Sequence, residues 1–310
     1  MTVSSPGLGQ VKPSPATRLL PPLRRFLFGT RFHAGALQQT FLYALLIALG
    51  ITMALPVYWM AITALKTEDL VFQIPPVWWT WPLEWQNFPD ALSSTGKPVH
   101  LYAWNSLQIS GLSVLGTVLS SSIVAFGFAR LEFPGRDTLF TMVLATLMLP
   151  FAVTMVPTFI LFHQLGWLDT FKPLIIPAWF GGGAYNIFLL RQFFLSIPKE
   201  YDEAVRIDGG GSWTILWQII VPLSKPALAA VTVFAFVYYW NDFLWPLIVI
   251  SNQDHFTLAL FLSTFQVAQR AVSWNLLMAA STIVMLPTLF VFFAAQRLFI
   301  QGIALTGIKG

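Results

Sequence analysis

The sequence predicts an all-α membrane protein of about six transmembrane helices, with an ordered cytoplasmic loop between the fourth and the fifth, and three observations carry that prediction. Of the 310 residues, 56% are hydrophobic and only 10% are charged. A soluble domain carries about 25% charged residues, so this chain has too little polar surface to cover itself in water. The apolar residues fall in blocks long enough to cross a hydrocarbon core, which takes about 20 residues of helix. The Lys and Arg residues sort into alternate connections between those blocks.

Residues 1–39 hold five prolines, the bases Lys12, Arg18, Arg24, Arg25 and Arg31, and no acid. This reads as a flexible basic tail, with an amphipathic stretch from Leu19 to Phe32 lying on lipid headgroups. Both the tail and the apolar run Thr40–Ala64 are too long for a secretory signal peptide, so the run is read as a retained first span. Further spans are expected at Trp104–Ala129, Thr138–Phe162, Pro173–Leu195, Pro226–Ile250 and Trp274–Gln296. Six spans put both termini on one side. With the N-terminus inside, 13 of the 17 Lys and Arg are cytoplasmic, and only Lys66, Lys97, Lys172 and Arg270 remain outside. That bias sets the topology, because positive charge is retained in cytoplasmic loops.

Between Lys66 and Trp104 the first outer loop gathers Trp78, Trp79, Trp81 and Trp85. An interfacial belt is the expected use of such rings, with sugar stacking or partner docking as a second. Pro56, Pro150, Pro157, Pro177, Pro246 and Pro287 sit inside or beside spans, where they kink helices.

The fourth connection runs from Ile197 to Pro222. Pro198 suits a helix start, and Glu200, Asp202 and Glu203 suit the positive end of its dipole. Asp202 and Arg206 are four apart and are expected to pair on an exposed face. Gly209, Gly210 and Gly211 stop this helix, Ser212 is placed to cap the next, and Pro222 to end it. Two short helices at an angle result, and so ordered a connector needs something to press against.

Glu203-Ala204-Val205, three residues, Gly209, nine residues, Ile219, one residue and Val221-Pro222 resemble the EAA loop of ABC importer permeases. Val205 replaces the pattern's second alanine and Val221 its leucine. Arg191-Gln-Phe-Phe-Leu-Ser-Ile-Pro, Tyr239-Trp-Asn-Asp-Phe-Leu-Trp-Pro-Leu and Gln301-Gly-Ile-Ala-Leu-Thr-Gly-Ile-Lys-Gly are similar to the maltose-type subunits of carbohydrate importers. The resemblance runs from about Thr40 to Gly310 and leaves out only the basic tail. It implies a transmembrane domain over 40–300, a cytoplasmic C-terminal tail over 301–310, and a sugar-importing permease of the plasma (inner) membrane with both termini cytoplasmic.

The partners implied are a second homologous permease, two ATP-binding cassette subunits and an extracytoplasmic solute-binding protein. ATP and Mg would sit on those partner subunits, with no cofactor on this chain. Within the loop the resemblance gives Glu203 a charged contact with the ATP-binding subunit, Ala204 a close helix approach and Gly209 an unobstructed turn. Asp208 and Pro222 belong to the same segment. Gln301 and Gly302 would begin a tail that reaches between the ATP-binding subunits.

Tyr239, Trp240, Asn241 and Asp242 are the polar and aromatic cluster of the fifth span. A charge at membrane depth costs about 2.5–3.5 kcal/mol on insertion scales, which marks a candidate substrate pathway. The other role open to Asp242 is to cap a helix broken near Pro246. Ser120, Ser121 and Ser122 are read as helix-packing groups.

Other function classes fit poorly. With no cysteine, thiolate catalysis and thiolate metal sites are excluded. The net charge of +4 is sorted by side of the membrane rather than gathered in a stripe, which argues against nucleic acid. An intramembrane serine hydrolase could use Ser113, but the histidines at 33, 100, 163 and 255 fall outside the bundle's depth. No His-Glu-x-x-His metal pair and no phosphate-binding loop occurs. A self-sufficient secondary transporter would need inverted repeats and several buried ionisable groups, and Asp242 is the one clear acid within a span.

Overall fold

The computed structural model describes residues 36–94, 97–267 and 273–306. The basic tail as far as residue 35, Arg270 and Lys309 lie outside them. Every regular element among the described residues is helical. The chain forms two units, one ending at Met60 and one beginning at Ala61.

The first unit contains most of α1, Ala36–Thr63. Large apolar side chains point outward all round it, from Phe41, Leu45 and Ile47 to Met53. A helix that is apolar on every face is built for a lipid surround.

In the second unit, α2 is Asn87–Ser93 and α3 is Val99–Arg130. Then come α4, Arg136–Ala145, and α5, Phe151–Gln164, bent by 100° to each other where Leu149 turns extended before Pro150. The expected third span, Thr138–Phe162, is thus a broken pair, as the steric restriction on the residue before a proline requires. The fourth span is interrupted too. A helical segment over 172–179 yields at Gly181–Gly183 to α6, Ala184–Ser196.

Next come α7, Glu200–Ile207, and α8, Lys225–Trp240. The expected fifth span ends early, at Trp240, and resumes as a short helix over Leu244–Val249. Last come α9, Leu258–Val267, and α10, Trp274–Thr306. Among the described residues four helical stretches are long and apolar enough to cross a membrane, Lys172–Ser196 counting as one of them despite its glycine turn, or six if each of two bent pairs is one span.

The long helix α3 is the spine, packing against both α6 and α8, while α8 also packs against α10. Its buried face is built from Ser106, Ser110, Ser113, Gly116, Thr117, Ser121, Ser122, Ala125 and Ala129. In lipid, apolar burial adds little drive, and close approach with interhelical hydrogen bonds takes its place. Ser113 donates to the Leu174 carbonyl at 3.0 Å and Ser120 to the Ala178 carbonyl at 3.1 Å. Ser121 and Ser122 instead donate within their own helix, to Thr117 and Val118. Gly182 leans on the same face, since a Cβ there would lie 2.5 Å from the Thr117 carbonyl.

Candidate functional site

The first candidate is the 197–222 connection. Its helix α7 starts one residue after the Lys199 carbonyl accepts the amides of Asp202 and Glu203, at 2.9 and 3.1 Å. Its end is closed by two backbone bonds, from Gly209 to the Arg206 carbonyl at 3.1 Å and from Gly210 to the Val205 carbonyl at 2.8 Å. This paired closure needs a left-handed residue after the helix, and Gly209 has φ +81°. Val205 folds over the turn, with a methyl group where a Gly210 Cβ would come within 2.5 Å.

Two sequence-based expectations about the second half fail. Ser212 caps nothing: Gly211 holds the N-cap position in extended conformation, and no side chain bonds the orphan amides. Pro222 ends nothing either, because the helical path, with a π-turn over Ile215–Ile220, continues through Leu223. The break falls at Ser224, where the chain bends by 80° into α8. A proline is tolerated early in a helical turn because its missing amide is not needed there.

The faces of α7 are sharply divided. Glu203, Ala204 and Asp208 are exposed, as are Ile207 (86%) and Trp213 (62%) beyond it. Asp202 and Val205 face inward. The expected exposed pair of Asp202 with Arg206 does not form. Asp202 instead lies 3.5 Å from Arg130 at the end of α3, and the two side chains are 10% and 2% exposed. Burial pushes the Asp202 carboxyl above its ordinary range, with Arg130 and then Arg206 pulling the other way.

Arg130 does more than pair. Its Nη2 donates to the carbonyls of Phe194 and Ile197, at 2.9 and 2.8 Å, which terminate α6. In return Arg191 of α6 donates to the Phe128 carbonyl of α3 at 3.2 Å, and its guanidinium sits 4.1 Å over the Phe140 ring. Cations at carbonyl ends of helices are favoured by the dipole. Sequence reasoning counted Arg130 only as a topology signal. The available clue was a base at the very end of an apolar span, with an acid on the inward face of the loop helix. A groove of about 610 Å³ runs beside these groups, lined by Glu132, Lys199, Glu203 and Arg206.

The second candidate is a cleft of about 530 Å³ between α5, α6 and α8, lined by Phe151, Asn186, Tyr238, Tyr239, Asp242 and Trp245 among others. Tyr239 hydroxyl shares a 3.0 Å hydrogen bond with Thr117. Asp242 accepts the Trp245 amide at 3.4 Å and so also starts the helix over 244–249. Trp240 and Asn241 turn away. Trp240 is buried, donating from Nε1 to the Val284 carbonyl at 3.1 Å, and Asn241 bonds back to the Val237 carbonyl at 2.8 Å. Tyr238, which the sequence groups with Tyr239 and Trp240 as a stacking face, lines the cleft, and Asn186 and Trp245 join it without having been singled out.

Gln301 and Gly302 lie within α10, which runs on to Thr306, so the tail expected over 301–310 begins as helix. Among the described residues no three His, Asp or Glu gather closely enough to hold a metal ion.

A bundle of broken apolar helices around a cleft, with a loop helix at one end, has the form of a transport subunit. Residues 116–305 match the family described as binding-protein-dependent transport system inner membrane component, and the chain belongs to that family. It is a multi-pass inner-membrane permease subunit of a transport system, not an enzyme.

Among individual relatives, it is 32% identical over 268 residues to the sn-glycerol-3-phosphate transport system permease protein UgpE of Yersinia enterocolitica, covering 85% of this chain and 95% of that one. It is 34% identical over 247 residues to the lactose transport system permease protein LacG of Rhizobium radiobacter, covering 80% and 88%. A bacterial ABC transporter involved in the import of the acidic polysaccharide alginate shares the fold, with a TM-score of 0.68 at 22% identity over 86% of this chain and 98% of that one.

Proposed function

We propose that this chain is one half of the membrane pathway of an ATP-driven sugar importer, working by alternating access. A solute-binding protein delivers a di- or oligosaccharide to the outer face, and a second, related permease completes the pathway. Two ATP-binding subunits close on ATP and Mg, and α7 carries that closure into the helices. Both termini, the α7 loop and the basic tail are cytoplasmic on this reading, and the tryptophans between 78 and 85 lie at the outer headgroups. Gln301 and Gly302 bring α10 to the ATP-binding subunits.

The observation that carries the proposal is the outward face of α7. Ile207 stands exposed with Glu203 and Ala204 on a helix whose other face is locked to the bundle, and Asp208 and Trp213, just beyond its end, are exposed too. Exposed apolar side chains rimmed by acids suit a protein partner. Support for the partner set comes from the relatives. A second solved relative, with a TM-score of 0.59 at 16% identity, is a bacterial alginate ABC transporter in complex with alginate pentasaccharide-bound periplasmic protein.

Support for a sugar comes from the cleft and from the relatives. Tyr238, Tyr239 and Trp245 offer ring faces, and Asp242 and Asn186 offer hydrogen-bonding groups for hydroxyls. Lactose is named for one relative, and arabinooligosaccharides for another, AraQ of Halalkalibacterium halodurans.

The test is a pull-down from detergent-solubilised native membranes, comparing wild type with Glu203→Lys and Gly209→Trp. Wild type is expected to bring down an ATPase and a second permease, with the ATPase weakened in both variants. A lone chain, or partners indifferent to the changes, would overturn the proposal.

A further inference from the structure

Three elements that the chain makes at different times meet at one guanidinium. Arg130 ends α3, its Nη2 holds the two carbonyls that end α6, and its Nη1 faces Asp202 on α7. The backbone between Ser196 and Glu200 ties α7 to α6 alone. Arg130 joins α7 to α3 as well, beside Val205, which packs on the cluster containing Ala125 and Phe126, and α3 packs against α8, which lines the cleft. We infer that Arg130 is a positioning residue for transport, passing displacement of the loop helix to α3 and α6 together. The inference rests on the importer reading above.

Two features suit Arg130 to that work. Its side chain is 2% exposed, so water does not compete for its bonds. A planar fork with five donors can serve two carbonyls and a carboxylate at once, which a lysine ammonium cannot do in the same geometry. The contact also has room to tighten. Arg130 Nε and Asp202 Oδ1 have no hydrogen-bond partner among the described residues. The 3.5 Å pair is longer than the roughly 2.7–2.9 Å of a charge-assisted bond. A partner pressing α7 inward would shorten it, so that push and load are joined most firmly while the ATP-binding subunits are closed.

The experiment uses the whole complex, with its solute-binding protein, reconstituted in vesicles, and reads sugar uptake per ATP hydrolysed. Arg130→Gln, Arg130→Lys and Asp202→Asn are compared with wild type, and the ATPase retained by each complex is measured alongside. Uptake per ATP is expected to fall at least ten-fold in Arg130→Gln and Asp202→Asn, with partial recovery in Arg130→Lys and with the ATPase retained. Asp202→Asn preserves shape and both carbonyl bonds, so it stands if Arg130→Gln fails to assemble. Normal uptake per ATP in Asp202→Asn would overturn the inference and leave Arg130 a structural cap. An ATP-independent uptake by wild type, or no ATPase in the complex, would instead sink the importer reading.

Discussion

Asp169 is bound to Asn252 across the bundle: one carboxylate oxygen accepts the Asn252 amide at 2.8 Å and the Ser251 amide at 2.9 Å, while the Asp169 amide donates to the Val249 carbonyl. The connection after α5 is thereby fastened to the one after the helix over 244–249, at the opposite end of the fourth span from α7. His255 stands 3.7 Å from the same oxygen.

These amides hold the Asp169 carboxyl below its ordinary value of 3.8. A depressed acid stabilises the fold above its unfolded pKa and loses that contribution as pH falls through the folded one. Asp169→Asn keeps the left-handed backbone at φ +57° that asparagine tolerates, and removes only the charge. Its melting temperature in detergent should be lower than wild type at pH 7, with the gap closing below about pH 4. A gap that stays constant with pH would mean the charge contributes nothing.

Gly209→Ala puts a Cβ at φ +81°, which costs about 1–2 kcal/mol. Gly209→Asn should cost less, since asparagine is the next-best residue after a helix end. Thermal melts of the two variants should rank in that order, and so should their retention of the ATPase.

At Gly182 the obstacle is a neighbouring backbone. A Cβ would meet the Thr117 carbonyl at 2.5 Å, so Gly182→Ala must push the glycine turn off α3. A loss of about 2 kcal/mol or more is expected, from overpacking and the left-handed φ together. Gly127→Ala, inside α3 where nothing lies within 4 Å of the added Cβ, is the control and should melt at or slightly above wild type, because alanine favours the helix by about 0.5–1 kcal/mol.

The cleft divides a four-residue motif in a way that uptake assays can read. Asp242→Asn should slow uptake about ten-fold, roughly 1.4 kcal/mol, with the ATPase still bound. Asn241→Ala, whose side chain only bonds its own helix, should change uptake less than two-fold, within about 0.5 kcal/mol. Trp240→Ala should act through stability, losing about 3–5 kcal/mol of buried packing.

Much of the fold was legible because a long uninterrupted apolar run has few solutions in lipid. The runs Thr40–Ala64, Trp104–Ala129 and Trp274–Gln296 fall inside α1, α3 and α10 apart from Ala64 at the end of the first. Prolines mark two of the breaks in the sequence, Pro150 as a kink and Pro246 beside the helix start that Asp242 serves, whereas hydropathy stays high through the turn at Gly181–Gly183 and does not mark it. In the loop, glycine and proline spacing gave α7 and its end correctly. Ser212 and Pro222 misled because each suits a role by type that its neighbours did not need. Helical i,i+4 spacing points Asp202 to Arg206, whereas its partner in space, Arg130, lies two spans earlier.

The exchange of arginines between α3 and α6 carries a consequence for the order in which the chain is assembled. Arg130 leaves the ribosome long before Phe194 and Ile197, the carbonyls it will serve, have been made. Until the third and fourth spans have been inserted, its charge has only headgroups and water to meet, so α3 waits in the bilayer with an unfinished end. The loop helix cannot settle before that moment, because its inner face closes on the same guanidinium. A ribosome stalled at residue 190 would thus hold a chain with its spine in place and Arg130 still without the carbonyls and the carboxylate it serves.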